Sequence, residues 1–337
     1  MTDAPLTQVP PIVQVRDLVK EFTRPVTPTG RFAELRRLFT RRTSTTRAVD
    51  GVSFDIAPGE LVGYLGANGA GKSTTIKMLT GILVPTSGEI LVDGRVPWQN
   101  RRANALSIGA VFGQRTQLWY DLPLRDSLEL IRDLYAVDEA DYRRRLGEFT
   151  ELLGLDEFLD TPVRQLSLGQ RMRGDLVAAL IYEPKVLYLD EPTIGLDVVA
   201  KQRIRDFIAE LNARTGTTVM LTTHDMEDIE TLCRRIILID AGTVLYDGDV
   251  TTLKRRYIPD RELVVTPAPE VDPHDITPEG GTTIVRDGRA VISHDPATVS
   301  TPELIGRVTS RWQITDLTVT EPPLADVISR IYTDQGR

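Results

Sequence analysis

The eight residues Gly66-Ala67-Asn68-Gly69-Ala70-Gly71-Lys72-Ser73 constrain this chain more than any others. They form a complete G-x-x-x-x-G-K-[ST] phosphate loop. The pattern requires an apolar strand before it and a helix after it. Leu61-Val62-Gly63-Tyr64-Leu65 supplies the strand, and a helix is expected over about 72–80. The glycines allow successive backbone N–H groups to turn inward as an anion nest, and the helix adds its positive N-terminal end. Lys72 is expected to reach the β- and γ-phosphates of a nucleotide, Ser73 to hold Mg²⁺, and Thr74 to complete the binding loop.

Downstream, Val186-Leu187-Tyr188-Leu189 reads as a buried strand ending in Asp190 and Glu191. An acid at a strand end beside a phosphate loop can hold Mg²⁺ through its water shell. A second acid directly after it can polarise an attacking water. Alternating apolar strands and helical patterns, with helices expected over about 126–159, 169–182 and 198–213, indicate a mainly parallel sheet covered on both faces. Further strands are expected at 12–19, 48–56 and 217–221.

Leu166-Ser167-Leu168-Gly169-Gln170 resembles the signature motif of the ATP-binding cassette (ABC) ATPases, in which Ser167, Gly169 and Gln170 would sit at a helix N-terminus. The other reading of Ser167 is a plain helix N-cap. With the family named, other motifs fall in its order. Gln114, after Val111-Phe112-Gly113, resembles the Q-loop glutamine that senses the γ-phosphate and Mg²⁺. Asp197, in Gly195-Leu196-Asp197, resembles the D-loop residue, and His224 the switch histidine that contacts the γ-phosphate. The family also places an aromatic residue upstream to stack on adenine. Phe22 is the candidate, with core packing as its alternative.

The resemblance covers about residues 12–250. It implies a phosphate-loop α/β cassette with a mainly parallel core sheet, an antiparallel β subdomain and a helical subdomain at about 115–180. It implies ATP and Mg²⁺ as ligands, with Ser73, Gln114 and Asp190 around the metal and Glu191 and His224 as the catalytic pair. It further implies a head-to-tail dimer of two ATPase subunits and a multi-spanning permease as partner. The stretch 114–126, with Leu118, Trp119, Tyr120 and Leu122, would meet that permease; core packing of Trp119 is the rival reading. The chain most resembles the cassettes of ABC-2-type exporters, with an importer ATPase bearing a regulatory tail or a soluble non-transport ABC ATPase as the alternatives. The exporter cassettes too carry a small C-terminal domain ending in a Pro-x-Leu-x-x-Val helix, here Pro322-Pro323-Leu324-Ala325-Asp326-Val327.

Two segments stand apart. Residues 23–47 carry seven arginines against the single acid Glu34. Phe32, Leu35, Leu38 and Phe39 fall at helical spacing there, so a short basic amphipathic helix is expected, or else a solvated basic loop. Beyond the cassette, expected to end near 255, prolines crowd 267–278. A hairpin around Asp287-Gly288 follows, then helices at about 302–312 and 324–332, making a small α+β domain over 256–337. His274 and His294 are expected at its surface.

Composition sets the limits. A net charge of −8 gives no general pull toward nucleic acid, and none is expected as a partner. The one cysteine, Cys233, can make neither an internal disulfide nor a zinc site by itself, and is expected to be packed on a helix. The first residues carry no basic start or apolar stretch, and no run approaches membrane-spanning length. The expectation is a soluble chain at the cytoplasmic side of the membrane, held there by its permease.

Overall fold

The computed structural model describes residues 10–25, 43–113, 115–257 and 261–334. The chain divides into two compact units, Met1–Asp247 and Gly248–Arg337. Most of the arginine-rich segment, with its expected helix, and Gln114 lie outside the described residues.

In the first unit, β1 (Val13–Pro25) and β2 (Thr43–Ile56) pair antiparallel from Val13↔Ile56 out to Pro25↔Thr43. Both run further into the arginine-rich segment than the apolar pattern indicated. Thr43 to Arg47 of β2 are exposed, so no core holds them; β-branched threonines and the ladder with β1 extend the strand. Then come β3 (Leu61–Gly66), α1 (Lys72–Leu79) and β4 (Ser87–Val92), which pairs with the other side of β1. The result is a three-stranded antiparallel sheet ordered β2-β1-β4.

Next come α2 (Arg101–Ser107), β5 (Ile108–Phe112), α3 (Leu124–Tyr135), α4 (Glu139–Leu153) and α5 (Leu168–Leu180). The helical pattern at 126–159 is two helices rather than one. Ala136 turns left-handed at φ 53°, Asp138 caps α4 through the Ala140 N–H, and Gly154 at φ 60° ends it. The unit continues through β6 (Val186–Asp190), α6 (Val198–Thr215), β7 (Thr218–Thr222), α7 (Met226–Leu232), β8 (Arg235–Asp240) and β9 (Thr243–Asp249).

The six-stranded sheet runs β5-β6-β7-β3-β8-β9, with β5 through β8 parallel. Its central strands are apolar on both faces and buried, as parallel strands under helices must be. That order sets the carboxyl ends of β3, β6 and β7 side by side, where open α/β sheets place their ligands. Register brings Phe112, Asp190 and Thr222 level across three strands. Cys233 follows the end of α7 and is buried, and burial pushes its thiol pKa up. No helix among the described residues is long and apolar enough to cross a membrane.

The second unit starts earlier than 256, because α8 (Val250–Tyr257) packs with the last helix. It contains β10 (Arg261–Pro267), β11 (Thr282–Arg286), β12 (Arg289–His294), α9 (Thr301–Arg311), β13 (Ile314–Thr320) and α10 (Leu324–Asp334). The antiparallel sheet β11-β12-β10-β13 packs Leu263, Val265, Ala290 and Ile292 against Leu304 and Val308 of α9. Asp287 (φ 49°) and Gly288 (φ 73°) make the two-residue turn of its hairpin. His274 is exposed as expected, but His294 is not a surface residue. It ends β12 buried, its Nδ1 against Arg261 O at 3.1 Å and its Nε2 against Thr301 Oγ1 at 3.0 Å.

Candidate functional site

The phosphate loop wraps the N-terminus of α1. Gly69 and Gly71 take φ 85° and 107°, the left-handed region that side chains resist. A Cβ on Gly71 would also stand 2.4 Å from Ala48 O. Gly71 is the N-cap of α1 and offers no side chain, so the helix start is left uncapped. Lys72 Nζ crosses the loop and donates to Gly66 O at 2.7 Å and Ala67 O at 3.3 Å. Ala70 is buried beneath the loop, while Ala67, Asn68 and Gly69 are exposed on it.

Facing the loop stand the ends of β6 and β7. Asp190 Oδ1 accepts a hydrogen bond from Thr222 Oγ1 at 2.6 Å. Glu191 adopts φ 58°, a strained value for a residue with a side chain, and its N–H donates to Thr222 O at 2.9 Å. Its Oε2 lies 2.7 Å from His224 Nδ1. A cleft of about 490 Å³ is walled by Ala48, Asn68, Gly69, Gly71, Lys72, Ser73, Thr74, Glu191, Ile194 and His224. One wall is rich in donors and uncapped helix N–H groups; the other carries a carboxylate and an imidazole. That is a receptacle for a polyphosphate with a polar group opposite its terminal phosphate.

The remaining expected residues are placed differently. Phe22 is half-buried on β1, opposite Thr46 and under the Lys20 ammonium at 5.3 Å, and it is not on the wall of the cleft. Ser167 Oγ accepts from Gln170 N–H at 3.2 Å, and Gln170 Oε1 accepts from Ser167 N–H at 2.9 Å. That reciprocal capping box opens α5. Gly169 follows it, and Asp197 caps α6 through the Ala200 N–H at 2.9 Å. None of these four touches the cleft. Trp119 and Tyr120 are exposed, at 42% and 57%, rather than in the core, whereas Leu118 is buried.

Ala48 and Ile194 are cleft residues that no motif announces. A larger cavity, about 650 Å³, lies near the amino ends of β6 and β7, with Phe149, Phe207 and Leu211 on its wall. On its wall Arg145 pairs with Glu183 at 2.6 Å and Arg214 with Glu210 at 3.1 Å, while Lys185 pairs with Asp93 off the wall at 2.9 Å.

Comparison with known proteins places these motifs in one family. The ABC transporter family model matches residues 49–194. The ABC transporter ATP-binding protein NatA of Bacillus subtilis is 33% identical over 217 residues, covering 64% of this chain and 88% of NatA. Relatives named for both directions of transport are also similar. The Nod factor export ATP-binding protein I of Paraburkholderia xenovorans is 40% identical, over 61% of this chain and 67% of its own length. The methionine import ATP-binding protein MetN of Geobacillus kaustophilus is 34% identical, over 64% of each. An ATP-binding cassette solved as a dimer in a post-hydrolysis state with ADP and phosphate superposes with a TM-score of 0.58 at 25% identity, over 70% of this chain and 98% of that one. The chain belongs to the ATP-binding proteins of ABC transporters, enzymes that hydrolyse ATP.

Proposed function

We propose that this protein is the ATPase motor of an exporter, working in pairs beneath a separate ABC-2-type permease at the cytoplasmic face of the membrane. The observation that carries the reading is the single cleft that gathers Lys72, Ser73, Glu191 and His224. The residues fit a nucleoside triphosphate. Its β- and γ-phosphates meet the uncapped N-terminus of α1 and the Lys72 ammonium, while Thr74 and the loop from Gly66 to Gly71 surround them. Ser73 and Asp190 would supply hard oxygen donors to Mg²⁺, and the Q-loop resemblance adds Gln114 to that set. When bound there, Mg²⁺ would supply charge neutralisation for the phosphates.

Glu191 orients the attacking water and draws on its proton; His224, hydrogen-bonded to that carboxylate, faces the transferred phosphoryl group with Lys72. Ser167, Gly169, Gln170 and Asp197 lie off the cleft of their own chain, which suits residues that serve the nucleotide of a second copy. The exposed Trp119 and Tyr120, just past Gln114, suit a permease contact. Export is favoured over import by the stronger identity to the export relative.

The test is to purify the chain from membranes in mild detergent and assay ATPase activity with and without what it retains. A co-purifying multi-spanning protein that alters a Glu191-dependent rate is expected. Transport into inside-out vesicles, driven by external ATP, supports export. ATP-driven loss of substrate from such vesicles would make it an importer. Undiminished hydrolysis by Glu191→Gln would remove Glu191 from its role.

A further inference from the structure

Asp228, on α7 four residues past His224, is wholly buried. Three donors surround its carboxylate. Oδ2 accepts from Thr193 Oγ1 at 2.5 Å and from Thr223 Oγ1 at 3.2 Å, and Oδ1 accepts from Arg205 Nε at 2.5 Å. These partners are themselves 3%, 1% and 4% exposed. Their positions in the chain give the cluster its meaning. Thr193 is two residues past Glu191, and Thr223 directly precedes His224. Arg205 lies two turns into α6, the helix that Asp197 caps.

The segment around His224 is held on both sides. Asp225 N–H donates to Thr223 Oγ1 at 3.0 Å, and Asp225 Oδ2 accepts from Lys201 Nζ of α6 at 2.5 Å. A buried ion pair is a poor source of stability, because the desolvation of both charges offsets their attraction, and apolar residues of similar volume serve as well. In some proteins such a pair instead fixes the geometry of the elements it joins.

We infer that Asp228 is a positioning residue: it locks the segment bearing Glu191 and the segment bearing His224 into one register, and ties both to α6. The 2.7 Å contact between Glu191 and His224 is then a consequence of the buried carboxylate beneath it. Any shift of the Asp197 end of α6 reaches both residues through Arg205. This rests on the proposed roles of Glu191 and His224.

The threonines are the cleaner probes, because Asp228→Asn sets an amide against the Arg205 donor and invites unfolding. Thr193→Val keeps shape and removes one hydrogen bond. It is expected to lower kcat by about 10- to 100-fold, as small misplacements of catalytic groups do. KM for ATP and binding of a fluorescent ATP analogue are expected to stay within about twofold of wild type. Thr193→Ser, which restores the hydroxyl, is expected to restore kcat. Thr223→Val gives the same split by a second route should Thr193→Val not fold. Folded valine variants with wild-type kcat, or a loss confined to KM, would overturn the inference. Glu191→Gln assayed alongside separates the two levels. If it is inactive while the valine variants are normal, only the positioning role fails. If it hydrolyses ATP normally, the catalytic reading fails and takes this inference with it.

Discussion

At Gly113 the space for a side chain is already taken. A Cβ there would stand 2.2 Å from the carbonyl oxygen of Glu191 and 3.2 Å from that of Asp190, both fixed backbone atoms. Gly113 N–H meanwhile donates to Asp190 O at 2.8 Å, so neither strand end can withdraw without losing the bond. Glu191, already at φ 58°, would absorb the displacement. Gly113→Ala is therefore expected to lower kcat about tenfold or more, because it moves the carboxylate and not the phosphate loop. It is expected to cost about 1–3 kcal/mol of stability, as overpacking does. Steady-state ATPase and nucleotide-binding assays on the same preparation check the split: a loss of binding equal to the loss of kcat would place the damage elsewhere. Lys72, Ser73, Asp190 and Glu191 are legible in sequence because each sits in a short local pattern. Gly113 has no such signal as a neighbour of Glu191, since that contact joins chain segments 78 residues apart.

Between elements, Asp175 does for α5 what backbone pairing does within a sheet. Its Oδ1 accepts from Thr116 Oγ1 at 2.9 Å and Gln117 N–H at 3.0 Å, and its own carbonyl accepts from Gln117 Nε2 at 3.0 Å. Burial pushes the carboxyl from 3.8 up to about 6, against the pull of the Gln117 N–H, the Thr116 hydroxyl and the Arg171 charge. The sign follows directly. Below about pH 4 the group is protonated folded or unfolded, and it costs nothing. Between about 4 and 6 the unfolded chain releases the proton and the folded one keeps it, so stability falls as pH rises, by on the order of 3 kcal/mol in all. Above that window the penalty is constant. Asp175→Asn keeps an acceptor for both donors and removes the titration, so its melting temperature is expected to gain on wild type's as pH rises from 4 to 6. A difference between the two that stays constant across that window would mean that Asp175 does not titrate there. Strands β4, β5, β8 and β9 are not among those that periodicity marks, whereas the buried strand β6 and both C-terminal helices are readable from it. The division of 126–159 was not, because Ala136 turns left-handed without being glycine. Nor was β10, whose alternation of Leu263 and Val265 is only three apolar residues deep beside a proline-rich run. Nor was the burial of His294, which depends on a carbonyl 33 residues away.

For the whole molecule, the question is what covers the residues just past Asp197. Val198 and Val199 open α6 with 82% and 65% of their surface exposed, although both are apolar and follow the cleft residue Ile194 by four and five residues. Single exposed valines need no explanation, but an adjacent pair next to a proposed inter-subunit motif does. Burying a valine side chain is worth about 1.5–3 kcal/mol, so two from each copy would contribute appreciably to a dimer. The phosphate loop and the signature residues of one chain do not meet, and closing a second copy over the cleft would satisfy both needs at once. A ligand favours the closed pair only by touching both halves. The expected result is that Glu191→Gln, given ATP and Mg²⁺, elutes at twice the monomer mass, while the same protein with ADP elutes as a monomer. Adding Val198→Asp puts a carboxylate into that contact at a cost of several kcal/mol, as burying an unpaired charge does. The double variant is then expected to stay monomeric with ATP while binding it with unchanged affinity, since Val198 is not on the cleft wall. A dimer that survives Val198→Asp would place the interface on another face of the cassette, and weakened ATP binding by the monomer would mean that the valine acts within its own chain.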